Sequence, residues 1–543
     1  MSQKKAKSDL LVQGGLLAMA GIITRLIGLV YRIILTRIVG TEGMGYYNTA
    51  YEIYNLALLV STYSIPVAVS KLVADRDSKG QYINSNKLFR VGMLVSSSLG
   101  FAASFLLLVF SNQLAGFMKW PSAAIPLRVL APTIFVFSLM GIIRGFFQGK
   151  KTMAPTAFSQ IIEQIFNAIF SVLAAILFIK ANKDSADVAA YGAAGGTFGT
   201  LSGAIMGLLF LVFVYRINSY YFLKKSLKDH SGVVESDSAI AKAILFTMLP
   251  IILSQTVYQI SGILDNYIFS KIMFEKGMTE SVKSVLYEAY SNKYKWLYNL
   301  PVAIASSFGV TIVPILSAGY AKKDDNFVRE KCHSAIKVNM IIAIPSAVGL
   351  GVLARPILQL LFHKTADELS PRLMQLGCVA VVFFALSTLT NGILQGVNRL
   401  KLPILHAAIS LAVHIPLLIL LIGPLDMGVY GMVIGNCTYG LLVCILNWNS
   451  MRTELGYIQE LRTTFFIPLI ASAGMGALAW VVYSLLFALV KSNLIPAIVA
   501  LVVAVVSYFV FLLLLKGVTK EELDEFPLGG RVYKVAVKLR LMK

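Results

Sequence analysis

Two arginines seven residues apart, Arg25 and Arg32, stand inside a long apolar run near the start of the chain. Seven residues is two turns of an α-helix, so both side chains leave the same face. Ionisable groups within a membrane-spanning helix face a partner or a wet cavity, because hydrocarbon does not solvate them. Two guanidiniums on one face form a fork suited to a phosphate or diphosphate. Arg32, close to Arg37, is also placed to snorkel toward the helix end, whereas Arg25 lies nearer mid-span.

Further polar residues interrupt apolar stretches at helical spacing. Tyr287, Glu288, Tyr290, Lys293, Tyr294, Lys295 and Tyr298 open the eighth run, where Lys293 and Lys295 would add positive charge and the tyrosines would pack on sugars. The same composition also suits a membrane interface. In the second run Asn48, Glu52 and Asn55 share one face. Gln160, Glu163, Gln164 and Asn167 line the fifth; Gln255, Gln259 and Asp265 the seventh; His406, Ser410 and His414 the eleventh. Each stripe would line a substrate path, bind a coupling sodium ion or proton (Asp265 and Glu163 foremost), or fix the bundle by interhelical hydrogen bonds. The histidines read mainly as packing. No HExxH, Walker A or nucleophile-elbow pattern occurs, and no loop is large enough for a catalytic domain, so an enzyme is not expected. Neither a cofactor nor a metal site is expected.

What positions these residues is a set of membrane-spanning helices. Of 543 residues 57% are hydrophobic and 14% charged, against roughly 25% charged in soluble domains. Leu494 to Leu515 carries no ionisable group over the ~20 residues needed to cross the hydrocarbon core. Fourteen such spans are expected near 10–38, 46–74, 89–112, 125–147, 156–181, 191–215, 243–273, 287–318, 334–354, 373–395, 402–424, 428–449, 464–490 and 494–516. About two-thirds of the 48 basic residues fall in alternate connections on the side of the N-terminus, which puts both termini in the cytoplasm of a multi-pass plasma-membrane protein. The net charge of +21 follows from that bias and suits anionic lipid headgroups. It does not point to nucleic acid, since no basic-aromatic domain lies outside the spans.

The chain also repeats itself. Phe147-Gln148-Gly149 with Pro155 is echoed by Leu394-Gln395-Gly396 with Pro403, and Pro66 with Asp75-Arg76-Asp77 by Pro314 with Asp324-Asp325. These offsets agree at about 248 residues. The expected fold is all-α: two six-helix lobes in a parallel pseudo-two-fold repeat, a transporter arrangement, plus two C-terminal helices. The lobes would span 1–222 and 243–455, joined by a connector at 223–242. Helices thirteen and fourteen would occupy 456–516 and a basic tail 517–543. Gly195, Gly199, Gly203 and Gly207 form a small-residue ladder that lets helices approach closely. Cys332, Cys378, Cys437 and Cys444 show no CxxC spacing.

The stretch Thr24-Arg25-Leu26-Ile27-Gly28-Leu29-Val30-Tyr31-Arg32, continuing to Thr36-Arg37-Ile38-Val39-Gly40, resembles the opening helix of the MurJ and stage V sporulation protein B group. That group belongs to the multidrug/oligosaccharidyl-lipid/polysaccharide (MOP) exporter superfamily. Leu300-Pro301, Val313-Pro314-Ile315-Leu316-Ser317 and Gln395-Gly396 are also similar. The resemblance implies a flippase that moves a polyprenyl-diphosphate-linked glycan, such as the peptidoglycan precursor lipid II, between leaflets. It also implies a cationic cavity binding the diphosphate, with Arg25 at the family's first-helix arginine. Arg32 is one position off a second arginine, where Tyr31 stands, and Lys293 and Lys295 lie near the family's eighth-helix arginine. A cavity aspartate and a second-helix arginine of the MurJ subgroup have no counterpart, which leaves other lipid-linked glycans open. By the same analogy helices thirteen and fourteen would hold the lipid tail. Substrate binding is expected at Arg25, Arg32, Glu52, Asn55, Lys293 and Lys295. Coupling would be to the membrane potential, sodium or protons, and cell-wall synthesis machinery is a possible partner. The rival readings are a cation-coupled multidrug exporter of the same superfamily and a membrane-embedded glycan-processing enzyme.

Overall fold

The computed structural model describes residues 2–59, 64–365 and 367–519 and residue 537. Its elements are α1 (Ser2–Leu58), α2 (Ser64–Ser78), α3 (Tyr82–Val109), α4 (Ser111–Phe117), α5 (Ala124–Gly149), α6 (Ala154–Ala181), α7 (Val188–Ser226), α8 (Asp237–Glu275) and α9 (Glu280–Glu288). A π-helix (Ala289–Lys295) leads into α10 (Trp296–Ala321), α11 (Asp325–Val352), α12 (Ala354–Leu361), α13 (Leu369–Gly377) and α14 (Ala380–Gly396). Then come α15 (Lys401–Ile422), α16 (Gly428–Leu455), a second π-helix (Arg462–Phe466), α17 (Ile467–Val490) and α18 (Leu494–Leu514). Among the described residues there is no strand. This is the all-α membrane architecture expected, since in lipid each backbone N–H must be satisfied within its own segment.

Among the described residues nine helices are long and apolar enough to cross a membrane, and the bent pair α13–α14, turned by 48°, makes a tenth. The other expected spans coincide with α1 before Gly40, the end of α1 with α2, α8, and α10. Gly40 separates the first two spans: its φ of 77° and ψ of 174° break the helix where an L side chain would be strained.

The chain divides into two compact units, 1–288 and 289–543. This differs from the expected boundary at 223–242. That connector lies on unit 1, where it is fully engaged. Arg76 makes a two-pronged contact with Glu235, at 2.8 and 2.6 Å, and Asn84 donates to the carbonyl of Val233 and accepts from the amide of Glu235. The amide of Ile83 donates to Asp229, whose carboxyl is held below its usual range chiefly by hydrogen bonds from Ser231 and Ile83. Ser236 then caps α8 by accepting from the amide of Ala239. With both ends of the connector pinned to the turn between α2 and α3, α8 packs on α1, α2 and α3. The seventh span therefore travels with the first six.

Within unit 1 the glycine ladder seats α7 on the backbone of α6. A Cβ on Gly195 would stand 2.5 Å from the carbonyl oxygen of Ala174, one on Gly199 2.4 Å from the nitrogen of Ser171, and one on Gly203 2.4 Å from the carbonyl oxygen of Glu163. Only hydrogen fits there. Within unit 2, α17 and α18 pack together and on α11 through Ile341, Met475, Ala479, Ala500 and Ala504, and the Tyr508 hydroxyl donates to the carbonyl of Ile341 at 2.8 Å. The loop before α17 is tied by Glu460. Burial works against its charge, but donors from the backbone and hydroxyls of Thr463 and Thr464 outweigh that and lower its pKa to about 2. The expected basic tail falls, from residue 520 on and apart from Val537, outside the described residues.

Replacing Gly199 by Ala should destabilise the protein by about 1–3 kcal/mol through overpacking, whereas Gly116→Ala, with nothing within 4 Å of the new methyl, should be nearly neutral. Thermal unfolding of the two purified variants in detergent checks this; equal melting temperatures would contradict the packing described.

Candidate functional site

Arg25, Gly28 and Arg32 share one face of α1, the arginines within a turn on either side of the glycine. Arg25 is exposed and Arg32 half-buried. Arg32 is positioned from the second span: its Nη2 donates to Asn48 Oδ1 at 2.5 Å, and its guanidinium carbon lies 5.8 Å from the centroid of the Tyr47 ring. Tyr47 packs in turn on Tyr51, 4.6 Å between centroids.

One turn beyond Asn48 the polar face continues. Glu52 Oε2 accepts from Asn266 Nδ2 at 2.8 Å, and the same amide donates to Thr49 Oγ1 at 3.3 Å. Asn266 Oδ1 accepts from Trp120 Nε1 at 2.7 Å. Asn266 is fully buried, and its neighbour Asp265 is buried as well. Asn55 is half-buried on the Glu52 face. Thus α1 and α8, joined by the loop before α5, bring Arg32, Asn48, Glu52 and Asn266 into one polar region of unit 1, with Asp265 next to Asn266 in sequence. Asn48, Asn266 and Trp120 were missing from the expected site set. Asn48 was legible as a face-mate of Glu52; Asn266 and Trp120 gave no signal, since a single amide or indole in a span reads as packing.

The fifth-span stripe splits among different partners. Glu163 forms an ion pair with Arg144 at 2.8 Å, and Arg144 also donates to Ser159. Asn167 accepts from the Ser171 hydroxyl at 2.9 Å. Glu163 was expected as a coupling group; its carboxylate is instead engaged by an arginine of α5. That arginine, near the end of an apolar span, was the sequence signal for the pairing. In the other half the corresponding junction, between α14 and α15, carries Asn391 and His406. There His406 Nδ1 contacts Asn447 Oδ1 at 2.7 Å, and Asn447 Nδ2 donates to Asn391 and Thr390. His414 Nδ1 meets the carbonyl of Gly435 at 3.0 Å. Both histidines are buried in satisfied packing networks, as expected. Of the seventh-span stripe, the side chain of Gln255 lies outside the described residues.

The two lysines of the eighth span part company in unit 2. Lys293 is 1% exposed, forms an ion pair with Asp367 at 2.5 Å and donates to the carbonyl of Thr365 at 2.6 Å. Asp367 meanwhile accepts from the Ser370 hydroxyl and backbone amide at the start of α13. Lys293, expected to face cargo, is engaged in this buried tie. Lys295 is half-buried, with its ammonium 5.8 Å from the centroid of the Tyr290 ring. Residues two apart leave nearly opposite sides of a helix, so the two lysines meet different surroundings. Tyr294, expected as a sugar platform, is buried and donates toward the carbonyl of Gly377 at 3.2 Å.

Unit 2 also holds an apolar groove of about 700 Å³, lined by α10, α11, α17 and α18 through residues such as Leu300, Ile304, Ile341, Met475, Leu501 and Val505. Among the described residues no group of three or more His, Cys, Asp or Glu is placed to hold a metal ion.

Comparison with known proteins places this arrangement. A family model described as "Polysaccharide biosynthesis protein" matches residues 10–319, and one described as MatE matches residues 296–420. The chain is 26% identical to "Lipid II flippase MurJ" of Bacillus subtilis (strain 168) over 83% of its own length and 85% of that protein's. It is 22% identical to "Stage V sporulation protein B" of the same organism, over 97% and 99%. Among solved structures it is similar to "Lipid II flippase MurJ, inward closed conformation", with a TM-score of 0.66, 16% identity, and 91% of this chain and 97% of that one covered. An inward-facing multidrug resistance MATE family transporter of the MOP superfamily also scores 0.66 at 16% identity, over 80% and 94%. These likenesses show the same fold. With more than half of its length matched by the family model, the chain belongs to the polysaccharide biosynthesis protein family.

Proposed function

We propose that this protein is a flippase of the plasma membrane that moves a polyprenyl-diphosphate-linked glycan precursor, lipid II foremost, from the inner to the outer leaflet by alternating access. The observation that carries the reading is the arginine face of α1: Arg25 and Arg32 share it, and Arg32 is held in place by Asn48 at 2.5 Å. A pre-oriented guanidinium in a low-dielectric setting recognises a diphosphate strongly. The named activity of the Bacillus subtilis relative supports the same cargo. Lys295 adds charge from the eighth span, and the apolar groove beside α17 and α18 suits the polyprenyl tail. With a negative cytoplasm, outward movement of an anionic headgroup gains about 2.3 kcal/mol per charge per 100 mV. Transport needs no cofactor and no chemical step. Any sodium or proton coupling would use Asp265, which is buried, or Glu163, which is ion-paired with Arg144. Both termini lie in the cytoplasm, by the distribution of basic residues, and synthesis enzymes of the cell wall are the partners this cargo implies.

The MatE match over residues 296–420 favours a second reading, a cation-coupled multidrug exporter. An organic cation calls for an acidic cavity, and the first span offers arginines instead.

In proteoliposomes with radiolabelled lipid-linked precursor, Arg25→Ala and Arg32→Ala should each lower translocation about tenfold or more, with Arg→Lys retaining part of the rate. Unchanged rates would remove the central-cavity assignment, and a new chemical product would indicate an enzyme. The lysines separate differently. Lys293→Met should cost about 1–3 kcal/mol of stability by stripping Asp367 of its buried partner. Lys295→Ala should keep the melting temperature and slow translocation; the reverse pattern would assign the cargo role to Lys293.

A further inference from the structure

The four-residue polar stripe of α6 leaves one member whose neighbours are unusual. Glu163 is tied to Arg144 and Asn167 to Ser171. Gln164 is half-buried and hydrogen-bonds to no described residue, yet it is not loose on the surface. Its amide is packed against α1 at Gly28, where a Cβ would stand 3.3 Å from Gln164 Nε2. Gly28 is three residues after Arg25 and four before Arg32, on their face of the helix. An apolar furrow between the same two helices is lined by Val30, Tyr31 and Ile34 of α1 with Ile169 and Leu173 of α6. The contact at Gly28 places the neutral donor-acceptor amide of Gln164 on the face of α1 that carries Arg25 and Arg32, at a position between them along the helix.

We infer that Gln164 is a cargo-contacting residue that donates from Nε2 to the diphosphate lying across Gly28 between Arg25 and Arg32. This deepens the flippase reading and rests on it. An amide supplies two N–H donors without adding charge. It can therefore fix the orientation of an anion that two arginines attract but, ~10 Å apart along the helix axis, do not by themselves align. Gly28 serves the same end: with no side chain of its own, it leaves the anion and the amide room to meet at the helix surface. Of the stripe's four polar residues, Gln164 is the one that this close approach directs to the arginine face.

The test uses the purified full-length protein in detergent and equilibrium binding of a polyprenyl diphosphate, with the neutral polyprenol as reference. Gln164→Met, similar in size but without donors, should raise the Kd for the diphosphate about tenfold. Gln164→Glu should raise it further, and neither should change polyprenol binding. Gln164→Asn, which shortens the reach by one methylene, should also bind more weakly, and it stands in if Gln164→Met fails to fold as judged by thermal unfolding. Wild-type affinity in the folded Met or Asn variant overturns the assignment, as does an equal loss for diphosphate and polyprenol, which marks a packing role. Arg25→Ala and Arg32→Ala serve as the parallel arm. If they weaken diphosphate binding while Gln164 variants do not, only this inference fails; if they too bind normally, the flippase reading itself fails.

Discussion

Hydrocarbon offers no hydrogen-bond partner, and most of this structure follows from that one constraint. Each backbone amide has to be satisfied within its own helix, and each charge placed among the helices needs either a protein partner or water. The first requirement accounts for the all-α fold. The second accounts for where the polar side chains end: Arg144 on Glu163, Lys293 on Asp367, Arg32 on Asn48. Helix association has no hydrophobic drive of its own in lipid, so close packing has to supply it. Gly195, Gly199 and Gly203 do so by bringing α7 onto the backbone of α6.

The internal repeat shows how the same requirement is met twice with different chemistry. At the junction of the fourth and fifth spans Arg144, Ser159 and Glu163 use an ion pair. Near the junction of the tenth and eleventh spans the network is neutral: Asn447 from α16 ties His406 and Asn391. Duplicated backbone architecture therefore persists while the charge pattern diverges. Each unit has its own character: unit 1 carries the oriented arginine and unit 2 the apolar groove.

Partner chemistry differs among the cations of the spans. Arg32 donates to the neutral amide oxygen of Asn48, which orients its guanidinium. Lys293 illustrates the opposite case, a buried cation whose charge is spent on Asp367. Membrane arginines and lysines therefore divide into ties and binding groups, and only partner identity separates them.

The sequence alone determined the membrane class, the helices, the repeat and the arginine face, because these depend on composition, on periodicity and on spacing along one helix. Arg25 and Arg32 share a face whatever packs against α1, and Leu494 to Leu515 spans whatever lies beside it. Tertiary structure decided everything that depends on a partner distant in the chain. Asp367 gives no sign in the sequence that it will claim Lys293, 74 residues away. Nor does the connector show in sequence that Glu235 will pin it to Arg76. The periodicity of α6 put Glu163, Gln164 and Asn167 on one stripe, but adjacent residues on a helix differ by about 100°. Packing then sent Glu163 to Arg144 and Gln164 to Gly28. Pairing in space is a property of neighbouring helices, and no single helix encodes its neighbours.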